Sequence, residues 1–237
     1  MRKTGLFTLL LFISLNISFG QKIYKEYIAG LNIATLAGDS SQLDNRHARL
    51  GAYVGLGLNF KLSYSSFVQV GAIYSQQGTY YTTEEFRQGY LNIDYTYHNI
   101  DYLHIPFLWR EYFGNFYSEL GGYVAIALFT SSPWKKEIYY TDSIYIAGEG
   151  EYISFSNNLT FYDYGALFGI GYETMLTPQY DVGVTLRFKP GLAKINTGGD
   201  RPSTILRNQV FTISVSIVDK GRQARYLRAK GRHRKRR

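Results

Sequence analysis

The sequence predicts an all-β protein, an eight-stranded antiparallel transmembrane β-barrel with strands extended on the external side. Three observations carry this. From Leu50 to Leu62 every second residue is apolar (Leu50, Ala52, Val54, Leu56, Leu58, Phe60, Leu62), while Arg49, Gly51, Tyr53, Gly55, Gly57, Asn59 and Lys61 alternate with them. Strand side chains point alternately to two faces, so this is one strand with an oily face and a polar, glycine-rich face. Comparable runs recur along the chain at the ~9–11 residues that a tilted transmembrane strand needs, longer than the ~5–6 usual in soluble sheets. Apart from the N-terminal run Leu6–Phe19, no stretch is apolar enough for a spanning helix, so entry into a membrane requires closed strands that satisfy their own backbone groups.

The first strand is expected from about Tyr27 to Leu36, with Tyr27, Ala29, Leu31 and Ile33 on one face. The second is the Leu50–Leu62 run, closed by Ser63-Tyr64-Ser65-Ser66. The third sets Val68, Val70, Ala72 and Tyr74 against Gln69, Gly71, Ser75 and Gln77, and a polar segment follows from about Thr82 to Gly89. The fourth carries Leu103, Ile105, Phe107 and Trp109 outward, and Phe113-Gly114-Asn115-Phe116 returns the chain into the fifth, where Leu120, Gly122, Val124, Ile126 and Leu128 face out. A two-residue Gly-Asn loop is a hairpin signal. With Phe113 opposite Phe116, Trp109 opposes Leu120 and Phe107 opposes Gly122 on the oily face, and Arg110 faces Glu119 on the inner one. One register serves both faces.

The sixth strand sets Tyr164, Ala166, Phe168, Ile170 and Tyr172 outward against Asp163, Gly165, Gly169, Gly171 and Glu173. After Leu176-Thr177-Pro178-Gln179 the seventh sets Val182, Val184, Leu186 and Phe188 against Asp181, Gly183, Thr185, Arg187 and Lys189. The eighth sets Phe211, Ile213, Val215 and Ile217 against Thr212, Ser214 and Ser216. Connections after strands two, four and six are short and the others longer, the pattern of periplasmic turns and external loops, with both chain ends periplasmic. In the third and fifth loops, Tyr90–Asn99 and Glu137–Phe155 keep alternating, and Gly148-Glu149-Gly150 supplies a turn. These read as strands continuing past the membrane, with two extra membrane strands as the alternative.

Residues 1–20 read as a signal peptide. Arg2 and Lys3 precede the apolar run, which closes on Ser18-Phe19-Gly20 before Gln21. Residues 21–218 form the expected barrel, and residues 219–237 a basic, solvated periplasmic tail. The net charge of +8 is a property of that tail. Lys220, Arg222, Arg225, Arg228, Lys230, Arg232, Arg234, Lys235, Arg236 and Arg237 supply ten cations. Without them and without Arg2 and Lys3, 14 basic residues stand against 18 acidic ones, a net of −4. The charge is therefore no argument for nucleic acid. The tail cations Arg222, Arg225, Arg228, Lys230, Arg232, Arg234, Lys235, Arg236 and Arg237 are the candidate contacts to an anionic surface, such as inner-leaflet headgroups. With no cysteine, disulfides and thiolate metal sites are excluded.

Gly30-Leu31-Asn32, Tyr102-Leu103-His104-Ile105-Pro106 and Glu119-Leu120-Gly121-Gly122-Tyr123 resemble the PorT-like outer membrane β-barrel family of Bacteroidetes, over about Gln21–Val218. The resemblance implies an eight-stranded outer membrane barrel, mostly of unassigned activity. One namesake serves a secretion system. The basic tail departs from the pattern, since such barrels commonly end near the last strand.

None of the four histidines has metal-ligand spacing. His98 and His104 share the inward parity, and with Asp101, Ser118 and Glu119 they are the one group from which a lipid hydrolase site could be assembled. Asp101 has the wrong parity, and the reading preferred is a lumen histidine satisfied by hydrogen bonds. Inward charges of both signs (Arg49, Lys61, Arg110, Arg187 and Lys189 against Glu119, Asp163, Glu173 and Asp181) are expected to pair and plug a bore that eight strands leave just wide enough for side chains. The Gly55-Leu56-Gly57 and Gly169-Ile170-Gly171 repeats open no helix and read as relief of crowding on the concave face. The 23 tyrosines bunch near strand ends, as interfacial girdles do.

The expected function is thus that of a non-enzymatic, porin-like barrel without cofactor, resident in the bacterial outer membrane among its lipids. Tyr95, Tyr97, Tyr139, Tyr145 and Tyr152 would form an external recognition surface for an extracellular or periplasmic protein partner. The alternatives are an accessory component of an envelope secretion system and a lipid-modifying barrel enzyme.

Overall fold

Phe113 pairs with Phe116 across Gly114-Asn115, and Gly114 takes a φ of 71°. A positive φ at the first central position is what a two-residue turn needs to match strand twist, and glycine adopts it without a Cβ penalty. The turn locks the register, and Trp109 stands opposite Leu120, Phe107 opposite Gly122 and Arg110 opposite Glu119.

The computed structural model describes residues 22–38, 45–87, 90–140, 143–151, 160–195 and 206–221. Ten strands run in chain order: β1 (Ile23–Gly38), β2 (Arg46–Lys61), β3 (Ser66–Arg87), β4 (Tyr90–Phe113), β5 (Phe116–Ser131), β6 (Pro133–Tyr139), β7 (Ile144–Glu151), β8 (Tyr162–Met175), β9 (Tyr180–Pro190) and β10 (Leu206–Asp219). Eight of them, β1-β2-β3-β4-β5-β8-β9-β10, close on themselves because β10 pairs with β1, and every pairing is antiparallel. Closure removes the sheet edge and leaves the ladder self-satisfied, which a bilayer demands. The sixth, seventh and eighth strands expected from the sequence are β8, β9 and β10.

The outer face is apolar and exposed. Leu31, Leu56, Phe107, Leu120, Ile170 and Ile213 are all about half or more exposed, whereas Asn32, Gln69, Arg110, Glu119, Arg187 and Thr212 are buried inside. This is a soluble protein inverted, as the lipid solvent requires. On β8 the outward band begins with Tyr162 and Tyr164 and ends with Tyr172, aromatic rings at both membrane boundaries. Other tyrosines (Tyr53, Tyr102, Tyr117, Tyr123) turn inward and are buried, so the girdle reading covers only part of them.

At the external end the strands continue past the membrane as the sequence reading expects, and the structure differs from that reading in one segment. The polar segment Thr82–Arg87 is strand, paired with Tyr90–Tyr95 of β4. Cross-strand pairing continues to the hairpin tip, which the change of polarity concealed. The fifth loop holds β6 and β7, which do not enter the barrel. β6 pairs with Leu91–Thr96 of β4 and β7 with β6, giving an external sheet in the order β3-β4-β6-β7. At the same end the chain after β9 folds inward. Ala193 and Ile195 are buried, with the Ile195 N–H bonded to the Leu206 carbonyl and Thr160 N–H to the Ile195 carbonyl. Ile195 there joins Leu36, Ile100, Tyr102, Tyr123, Ala125 and Ala127 in an apolar layer across the bore.

The inner glycines make room for large side chains. A Cβ on Gly171 would lie 2.2 Å from the Tyr117 ring, and one on Gly169 would lie 2.7 Å from Glu119 Oε2. Gly171→Leu is expected to cost about 1–3 kcal/mol through overpacking, read as a lower urea midpoint of the refolded barrel. An unchanged midpoint would mean that Tyr117 does not need that space.

Candidate functional site

The lumen charges form a network centred on one carboxylate. Alternation on β4, β5 and β9 aims Arg110, Glu119 and Arg187 at the axis. Glu119 accepts from Arg110 at 2.7 and 2.9 Å through Oε1, from Arg187 Nε at 2.7 Å through Oε2 and from Arg187 Nη2 at 3.0 Å through Oε1. All three side chains are buried. Arg110 also approaches Glu26 at 3.3 Å, and Glu26 accepts from Asn59 Nδ2 (2.7 Å) and Gln69 Nε2 (2.5 Å). The Arg110 guanidinium stacks on Tyr117, with 4.5 Å between its central carbon and the ring centroid. Glu26 lies just before Tyr27, where the first strand is expected to begin, and so escapes the sequence reading. One more step of the same alternation would have placed it inside.

Toward the external end, Lys189 donates to Asn32 at 3.3 Å and sits 4.2 Å from the Tyr53 ring centroid. Asp163 accepts from Asn208 (2.9 Å) and from the Tyr123 hydroxyl (3.1 Å). His104 is buried, 2.8 Å from Gln77 Nε2 and stacked on Tyr123, and His98 contacts the Ser132 hydroxyl at 2.7 Å. Asp101 is engaged by the Tyr74 hydroxyl at 2.7 Å, and Ser118 faces outward, exposed. His98, His104, Asp101 and Ser118 therefore do not come together as a nucleophile, base and orienting acid.

The external tyrosines fall on two faces. Residues paired across strands share a face, so Tyr95 and Tyr97 of β4 and Tyr139 of β6 lie together, all half-buried. Tyr145, paired with Ile138, lies on the opposite face, exposed and edge-on to Tyr140. Tyr152 lies outside the described residues, as do the proposed cleavage site after Gly20 and the tail cations Arg222, Arg225, Arg228, Lys230, Arg232, Arg234, Lys235, Arg236 and Arg237. On the tyrosine face, Tyr139 donates to Glu137 at 2.6 Å and Lys135 pairs with Glu137 at 2.6 Å. The Lys135 and Tyr139 hydrogen bonds hold the Glu137 carboxyl below its ordinary pKa, and the same bond raises that of Lys135. Trp134 covers Gly148 and Gly150, and a shallow hollow of about 630 Å³ opens beside it.

A closed ring of strands, an apolar outer band and a charged interior together define an outer membrane barrel. The profile of the family described as "Outer membrane protein beta-barrel domain" matches residues 19–196, and the chain belongs to that family in the bacterial outer membrane. Comparison with curated proteins gives no match. Among solved structures, the outer membrane protein OprG from Pseudomonas aeruginosa aligns at 12% identity over 83% of this chain and 95% of its own, with a TM-score of 0.43. The attachment invasion locus protein Ail of Yersinia pestis, in complex with the heparin analogue sucrose octasulfate, aligns at 10% identity over 83% and 99%, with a TM-score of 0.36. The outer membrane protease OmpT from Escherichia coli aligns at 9% over 86% and 98%, with a TM-score of 0.34.

Proposed function

We propose that this protein is a non-enzymatic outer membrane barrel with a plugged bore that presents its external sheet for recognition of an extracellular protein. The free edge of β7 carries the proposal. Among the described residues β7 pairs only with β6, and Ile144, Tyr145 and Ile146 are each about 60% exposed. Such an edge offers unpaired N–H and C=O groups to an added strand, with apolar side chains on both of its faces. The plug is supported by the buried Arg110–Glu119–Arg187 network and by the apolar layer around Ile195.

The finer affiliation, to the PorT-like barrels of Bacteroidetes, rests on motifs whose residues alternate between the bore and the lipid face, with Leu31, Ile105 and Leu120 outward. Asn32, Tyr102, His104 and Glu119 are buried inside, and a Cβ on Gly30 would strike the Ile213 carbonyl. These motifs therefore speak for architecture and not for a role in secretion.

Cells displaying a variant with residues 133–151 replaced by a short turn should keep a barrel that shifts on a denaturing gel when boiled. They should also lose the extracellular partner captured by a photo-crosslinker at Ile146 in the parent. Equal capture at other external positions in the variant would move the surface away from β7. In planar bilayers the purified parent is expected to show no steady conductance, and a large steady conductance would remove the plug.

A further inference from the structure

At the periplasmic end the bore opens into a cavity of about 350 Å³, a volume within the range of small-molecule sites. Seven of the eight barrel strands, all but β5, line it, and its walls are aromatic: Tyr24, Phe67 and Tyr112, with Tyr64 at the rim. Two kinds of polar group face it. Asn59, 2% exposed, spends its Nδ2 on Glu26, and because a carboxylate can only accept, the amide orientation is fixed. Its Oδ1 is buried and, among the described residues, has no hydrogen-bond partner. On the opposite wall of the same cavity is Glu173 of β8, which accepts from the Tyr112 hydroxyl at 2.7 Å. Glu173 also stands 3.9 Å from Arg110 Nη1, so Asn59 Oδ1 is the acceptor left without a donor, and the Glu173 carboxylate adds negative charge to the wall.

The opposite polarity stands at the rim. Lys61 Nζ lies 5.5 Å from the Tyr64 ring centroid and 5.7 Å from that of Phe67. Among the described residues no carboxylate lies within ion-pair distance of it. Lys220, the other cation of the rim, is tied to Asp181. A buried orphan acceptor on one wall, a carboxylate on the other, aromatic rings and an ammonium at the rim match a ligand that carries a positive and a negative end.

We propose that this vestibule is a periplasm-facing binding site for a small zwitterion, with an amine directed to Asn59 Oδ1 and Glu173 and an anionic group held by Lys61. The aromatic walls favour the cationic end, since ring faces attract ammonium groups. Two periplasmic sources share this chemistry, a short peptide and an ethanolamine phosphate headgroup.

The experiment titrates the whole protein in detergent micelles with alanyl-alanine and with phosphoethanolamine, following heat release. Saturable binding of at least one is expected. Response to the dipeptide alone assigns a peptide, and response to phosphoethanolamine alone assigns a headgroup. N-acetylation of the dipeptide or of phosphoethanolamine, whichever binds, should weaken binding about tenfold or more, and so should Lys61→Met in a barrel that still shifts on boiling. Glu173→Gln, which keeps the shape of the wall, serves as the second variant and should weaken binding of the amine. No saturable heat with either probe, or equal affinity for the acetylated probe and unaltered binding by both variants, would overturn the assignment.

Discussion

Glu119→Ala is expected to lower the stability of the refolded barrel by about 3–5 kcal/mol, because it strands two buried guanidiniums in a site closed to water. Arg110 and Arg187 each place two nitrogens within 3.0 Å of this carboxylate. Arg110 retains Glu26 at 3.3 Å, while Arg187 keeps only long contacts, at 3.4 Å, to the Tyr53 hydroxyl and to Gln69. The measurement is the urea midpoint in detergent, followed by the gel shift on boiling. Arg187→Met added to Glu119→Ala should recover part of the loss, because the charge least able to find another partner is then gone. A single variant as stable as the parent would show that water reaches the network and that the plug is not tight.

Leu56→Arg and Tyr145→Arg should behave in opposite ways although the parent residues are equally exposed, at 58% and 59%. Leu56 is the central member of the apolar face of β2, and arginine near the bilayer midplane of a barrel costs about 2–4 kcal/mol. Tyr145 lies on the external hairpin, where an arginine meets water and a cost within about 0.5 kcal/mol is expected of a surface substitution. Refolding into phospholipid vesicles across a urea series measures both. Equal and small effects would place β2 in water and remove the membrane reading. Equal and large effects would place the β6–β7 hairpin inside the bilayer.

The barrel was legible because its signal is local. Alternation along β2 and β8, the Gly114-Asn115 turn and the placement of Arg110 opposite Glu119 each depend on residues close in sequence. The lumen network was only half legible. Parity told that Arg187 points inward, but Glu119 and Arg187 are 68 residues apart, and the closing curvature of eight strands decides that they meet. The hydrolase candidates show the reverse. His104, Asp101 and Ser118 lie within one hairpin, yet the pleat sends Asp101 and Ser118 away from the bore while Gln77 of β3 takes the histidine.

At the external end the alternation of residues carries no information on partners. Tyr95, Tyr97, Tyr139 and Tyr145 look equivalent in a list of strand residues. Pairing of β6 with β4, and of β7 with β6 so that Tyr145 stands opposite Ile138 and not Tyr139, decides that three of them share a face and that Tyr145 does not. By itself, then, the sequence determined the places of the eight barrel strands, their two faces and the membrane solvent, and left open whether two more strands join the ring, because side-chain alternation and strand length are properties of consecutive residues. The tertiary structure alone decided which charge meets which across the bore, that residues 191–195 turn into it, and that Asn59 is left with an unsatisfied oxygen above a periplasmic cavity. Those outcomes depend on distances across a closed ring, and no local pattern encodes a distance between opposite walls.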